Sequence, residues 1–225
     1  MIRYIAAAVI AACLGQAAHA QVAGDPAREK AFLAQIELAK AAPGYKENVR
    51  GLDVARTLLG GGLPLTSAQQ ASAGEHAMNR GVPIEAETLL RPLVDVGEFG
   101  GDKDSKRERN AAFFWAVRTD ADKDRNGALE EGAAEAAAKP SGFTYLAVAQ
   151  GFAAKGDYGR AVELYAAALA KGGFTAADIA FAKLGLGIAQ FRAGDRQAAR
   201  ATWTSIEDHA GAKQLANAWL MIAQS

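Results

Sequence analysis

The chain of 225 residues contains one cysteine, six prolines and only 8% aromatic side chains. Its 25 basic residues are matched by 25 acidic ones, so it carries no net charge. Each scarcity excludes something. One cysteine cannot build a disulfide framework or a cysteine-based zinc site. Balanced charge removes the electrostatic footprint of a nucleic-acid binder or of a protein held on an anionic membrane surface. No apolar run approaches the roughly 20 residues that a spanning helix needs. Sustained period-two alternation is also missing, which argues against a sheet. What the chain does contain is alanine, 54 residues in all. Alanine loses no side-chain entropy on entering a helix, so this composition reads as all-α. The length is ample for a hydrophobic core.

Residues 1–20 read as an export signal. Arg3 gives a short positive start, Ile5 to Leu14 form the apolar stretch, and Ala18-His19-Ala20 is a small-x-small cleavage site. Cleavage near Ala20-Gln21 sends the mature chain to the periplasm or outside the cell, with no membrane insertion. It removes Arg3 and Cys13, leaving 24 basic against 25 acidic residues, a charge of −1, and no thiol. A thiol-free chain suits an oxidising compartment. The alternative is a lipoprotein: Ile10-Ala11-Ala12-Cys13 resembles a lipoprotein cleavage box, and processing there would make Cys13 an acylated anchor.

Beyond the leader, capping and breaking signals divide the chain into about ten or eleven helices. Asp25-Pro26 opens the first, which runs through Lys40 to a break at Ala42-Pro43-Gly44. Val49, Leu52, Ala55 and Leu59 mark a second, stopped by Gly60-Gly61-Gly62. Thr66 with Gln69 forms a capping-box start for a third, and Gly81-Val82-Pro83 separates it from a fourth ending near Val94. Ser105 with Glu108 begins a fifth carrying Phe113, Phe114, Trp115 and Val117. An acidic loop at 120–126 leads to a sixth near 127–138, closed by Lys139-Pro140. Four more helices follow, then a terminal one from Ala212 to about Ala223. The mature chain thus divides into an N-terminal helical region, 21–140, and a C-terminal region, 141–225.

The last third repeats at a spacing of 38 residues. Gly156-Asp157 corresponds to Gly194-Asp195, Ala149 to Gly187, Ala161 to Ala199 and Tyr165 to Trp203. The logic is that of two helices packed closely: small faces small, and a large ring one turn later fills the space beside the contact. Gly74, Ala86 and Leu90 have the same mutual spacing, 75 residues before Ala161, which is close to two periods. The set Tyr145, Ala149, Phe152, Ala161, Tyr165 and Ala168, with Gly156-Asp157 in the turn, resembles the tetratricopeptide repeat. The segment 142–173 matches closely. In 180–211, Lys183 and Gln190 stand where that family prefers large apolar residues.

This resemblance implies an α-solenoid whose concave face binds a peptide or protein. The inner helices would then present Glu75, Met78, Asn79, Gln150, Ile188, Phe191 and Arg192, although Ile188 and Phe191 also read as packing residues. A non-catalytic adaptor of the bacterial cell envelope follows, with an unidentified protein or peptide, or a second copy, as partner. Nucleic acid is not expected.

One further motif carries chemistry. Asp122, Asp124 and Asn126 alternate before Gly127 and Leu129, like the first two-thirds of an EF-hand calcium loop. Glu130 and Glu131 fall early, and Ala133 occupies the position of the closing bidentate carboxylate. The loop reads either as a weak calcium site of Asp122, Asp124, Asn126 and Glu130 or as a polar turn starting the next helix. No other cofactor is expected. His76 and His209 lack companions at ligand spacing, and Gly60-Gly61-Gly62-Leu63-Pro64 lacks the lysine and hydroxyl of a phosphate loop. No serine sits in a nucleophile elbow. An envelope hydrolase would need a site assembled from residues unlinked in sequence.

Overall fold

The computed structural model describes residues 22–99 and 104–224, apart from the side chains of 104 and 105. The expected signal peptide, its cleavage site and Cys13 lie outside those residues, and no helix among them is long and apolar enough to cross a membrane. The described chain is all-α, with no strand. Its helices are α1 (Pro26–Lys40), α2 (Glu47–Gly60), α3 (Ser67–Asn79), α4 (Pro83–Asp95) and α5 (Asp104–Lys123), then α6 (Leu129–Ala138), α7 (Phe143–Lys155) and α8 (Tyr158–Lys171), then α9 (Ala176–Arg192), α10 (Arg196–Thr204) and α11 (Ala212–Ala223).

The helix ends follow local chemistry. The Asp25 carboxylate accepts hydrogen bonds from the backbone N–H groups of Ala27 and Arg28, at 3.0 and 3.2 Å, and Pro26 takes the first turn of α1. Thr66 and Gln69 cap α3 reciprocally, as expected, and Thr175 with Asp178 does the same for α9. At the short turns after α7 and α9, Asp157 and Asp195 accept from Arg160 and Ala198 while Gly156 and Gly194 adopt positive φ.

The acidic segment departs from expectation. Residues 120–123 continue α5, and Asp124–Ala128 form a single π-helical turn, kinked at Asn126 and at Gly127 with φ 122°. The cause lies on another helix. Arg125 reaches the Glu87 carboxylate of α4, which Arg91 and Arg118 also approach and which is almost fully buried. A buried carboxylate needs cations around it, and the π turn delivers one.

Consecutive helices pack in neighbouring pairs, giving a solenoid-like arrangement. The 38-residue pattern marks the tight contacts. Ala86, Ala149, Ala161 and Ala199 have no solvent exposure. A Cβ on Gly74 would lie 2.5 Å from the Leu90 side chain, and one on Gly187 would lie 2.2 Å from the Trp203 ring, so each large residue rests directly on its small partner. On α5, Phe114 and Val117 are buried, Phe113 is half-buried and Trp115 faces outward.

The first and last described helices also meet. α11 packs on α1 and α2, and one core cluster joins Phe32, Ile36 and Val54 to Phe181, Trp203 and Trp219, from both sides of residue 140. Trp219 donates from its indole N–H to the Thr57 hydroxyl at 3.1 Å. Its ring stacks on Trp203 with centroids 5.6 Å apart, and Phe191 lies at 5.9 and 6.2 Å from the two indoles. Gly60 and Gly61 receive the rings of Trp219 and Phe32, which a Cβ at either position would strike. The glycines read as a helix stop are therefore also landing places for aromatic rings. A second contact, α4 on α7, crosses the middle of the molecule.

Candidate functional site

Between α2 and α4 on one side and α7, α8 and α9 on the other lies a cavity with two lobes. Arg56, Gln150, Tyr165, Gly185 and Ile188 line both. The first lobe, about 110 Å³, is completed by apolar groups including Leu59, Leu89 and Trp219, with Glu85, Tyr158 and Arg192. The second, about 220 Å³, is completed by Arg50, Asp53, Arg80 and Asp178 beside Phe143, Leu146 and Phe181.

The polar groups come chiefly from one face of α2. Arg50, Asp53 and Arg56 recur every three residues and project inward together. Asp53 is buried, and Arg80 grips both of its oxygens at 2.9 Å, with Arg56 at 3.4 Å. Burial pushes this carboxyl up, but the charge and hydrogen bonds of Arg80, helped by Arg56 and Arg50, outweigh it and hold the group below the usual carboxylate range. Arg80 also donates to the Val49 carbonyl.

Arg56 meets Glu85 of α4 in a two-pronged pair, Nε to Oε1 at 2.8 Å and Nη2 to Oε2 at 2.5 Å. The same guanidinium donates twice to the Gln150 side-chain oxygen of α7, at 3.3 Å. Burial acts to lower its pKa, and the Glu85 carboxylate more than reverses this. Arg50 donates to Asp178 of α9 at 3.2 Å and lies 3.7 Å over the Phe181 ring. Burial lowers its pKa, against the opposing pull of Asp53 and Asp178.

Two groups in this layer stand apart. Tyr165 is buried, its phenol pushed up to about 12 by burial, and its hydroxyl makes no hydrogen bond among the described residues. A Cβ on Gly185 would meet that hydroxyl at 2.6 Å, so the glycine keeps space beside it open. Arg192 closes α9 without an ion pair or hydrogen bond among the described residues, and burial lowers its pKa.

The residues read from the sequence as a groove separate into two places. Gln150, Ile188 and Arg192 meet in the first lobe. Glu75, Met78 and Asn79, on α3, lie on the wall of neither lobe; Glu75 and Asn79 are exposed, while Met78 packs against the core around Leu90. Phe191 is buried among the tryptophans. Arg50, Asp53, Arg56, Arg80, Glu85, Tyr165 and Asp178 were missed as a group. The three-residue rhythm of charge on α2 was the available signal, since an otherwise apolar helix face seldom carries it without partners.

In the calcium-loop lookalike, Asp122 pairs with Arg125 at 3.0 Å and Glu130 lies 3.5 Å from Arg160. Asp124 is half-buried and Asn126 is exposed. Ala133 points into the core. No group of three or more metal-ligating side chains is assembled among the described residues.

Comparison with protein-family models, with curated proteins and with solved structures found no match.

Proposed function

We propose that the protein is a non-catalytic binding protein of the bacterial cell envelope, a tetratricopeptide-like scaffold that takes part of a peptide, protein or small ligand into its central cavity. One observation carries this reading. Arg56 of α2 meets Gln150, Tyr165, Ile188 and Arg192 of the consecutive helices α7, α8 and α9, more than 90 residues away in sequence, and together they line one space that apolar side chains could have filled. Polar groups kept around a cavity cost stability unless they are satisfied, so their retention argues for use. The non-catalytic reading draws support from the acids. Asp53, Glu85 and Asp178 are each held by an arginine, which leaves no unengaged carboxylate there to act as a general acid or base. The leader-like residues 1–20 support export.

A thermal-shift screen of peptides and small molecules against wild type and Ile188→Trp tests the site. Tryptophan at 188 fills the first lobe. Ligands that raise the melting temperature of wild type and leave the variant unmoved support the cavity. Equal shifts in both proteins would place binding elsewhere.

A further inference from the structure

The cavity contains four arginines, and three have an acid. Arg50 is matched to Asp178, Arg56 to Glu85 and Arg80 to Asp53. Arg192 has none among the described residues, although it is half-buried, and that burial lowers its pKa against a smaller opposing effect of Tyr158. A guanidinium is always charged, and even partial burial carries a cost when no counter-charge is near. The first lobe therefore carries one uncompensated positive charge: Arg56 and Glu85 cancel, and Arg192 remains. The rest of its wall is apolar, with Leu59, Leu89, Ile188 and Trp219 facing the same space. The unbonded Tyr165 hydroxyl supplies a donor beside them.

We propose that this lobe binds a small monocarboxylic acid, its carboxylate on Arg192 and its apolar body against Leu59, Leu89, Ile188 and Trp219. The proposal rests on the cavity being the binding site and adds the chemistry of the occupant. A planar guanidinium presents two parallel N–H donors that suit a carboxylate. A single unmatched charge suits a monoanion, whereas a phosphate dianion would bring a second negative charge into a lobe with few further donors. The apolar wall favours an alkyl or aromatic body over a sugar or a polar peptide. At about 110 Å³ the space suits a short chain or a single ring.

The test titrates butanoate, hexanoate, octanoate and benzoate, with the matching alcohols, into the mature chain by calorimetry and tryptophan fluorescence. Trp219 sits on the lobe wall and reports occupancy. The acids should bind at least tenfold more tightly than their alcohols. Arg192→Gln should reduce each acid to the affinity of its alcohol while the protein melts no lower, because an unmatched, half-buried charge has been removed. Arg192→Lys should retain part of the preference. Ile188→Trp should abolish binding of both. Alcohols binding as well as acids, or Arg192→Gln keeping the acid affinity, would overturn the carboxylate assignment. Failure of every acid to bind folded wild type at millimolar concentration would do the same, and the cavity reading would stand if peptides still gave shifts lost in Ile188→Trp. Acid binding that survives Ile188→Trp would remove the cavity as well.

Discussion

At the scale of residues, the fold is governed by which positions are small. Gly187 lies under Trp203, whose indole N–H reaches the Leu184 carbonyl at 3.3 Å within a cluster closed to solvent. Gly159, in the first turn of α8, has nothing near its absent Cβ. The same substitution should therefore act in opposite directions. Gly187→Ala should destabilise by about 2 kcal/mol through overpacking, and Gly159→Ala should stabilise by up to ~1 kcal/mol through helix propensity. Chemical denaturation of the two variants checks the pair. The small-on-large pairs were legible because the 38-residue spacing repeats them. The charge partners were not: Arg56 and Gln150 are 94 positions apart, and neither has a local motif that calls for the other.

Asp124 provides a residue-scale dependence on pH. Burial, with a smaller push from Asp120, raises its carboxyl to about 6, against the pull of Arg125 and Lys155. The folded chain thus keeps a proton that the unfolded chain has released between about pH 4 and pH 6. Ionisation then costs the folded state, and this group's contribution to stability falls as pH rises through that window. Asp124→Asn should melt higher than wild type at pH 7, and the difference should shrink toward zero at pH 4. Melting curves at the two pH values measure it.

At the scale of elements, most helix ends were readable because their causes are local. Caps such as Asp25, Thr66 and Asp157 sit within three residues of the groups they satisfy. The π turn at Asp124–Ala128 was hidden because its cause, the buried Glu87, belongs to α4. The role of α11 was hidden for the same reason. Its amphipathic pattern shows that it packs on something, and only the structure shows α1 and α2 beneath it. Arg28 of α1 donates to the Met221 carbonyl, and Trp219 anchors the helix to Thr57 and Trp203. Trp219→Ala should cost about 3–5 kcal/mol, and hydrogen exchange should show α1 and α11 losing protection together. Loss confined to α11 would argue that α1 and α11 are not one cooperative unit.

At the scale of the molecule, the packing of α11 against α1 and α2 brings Trp219 onto the wall of the first lobe. In the arrangement expected from repeats alone, the inner faces of α3, α7 and α9 would share one open groove. Instead, α11 bears on α1 and α2, α4 bears on α7, and the shared inner space contracts to two lobes around Arg56 and Gln150. That contraction separates Glu75, Met78 and Asn79 from Gln150, Ile188 and Arg192. All-α character and helix order could be read from composition and caps, while the position of the site depended on contacts between distant thirds of the chain. The central claim is that ligand enters the first lobe. The most direct measurement is the calorimetric Kd of the strongest thermal-shift ligand for wild type and for Ile188→Trp. At least a hundredfold loss is expected, with an unchanged fold by circular dichroism; equal affinities in two folded proteins would contradict binding in this lobe.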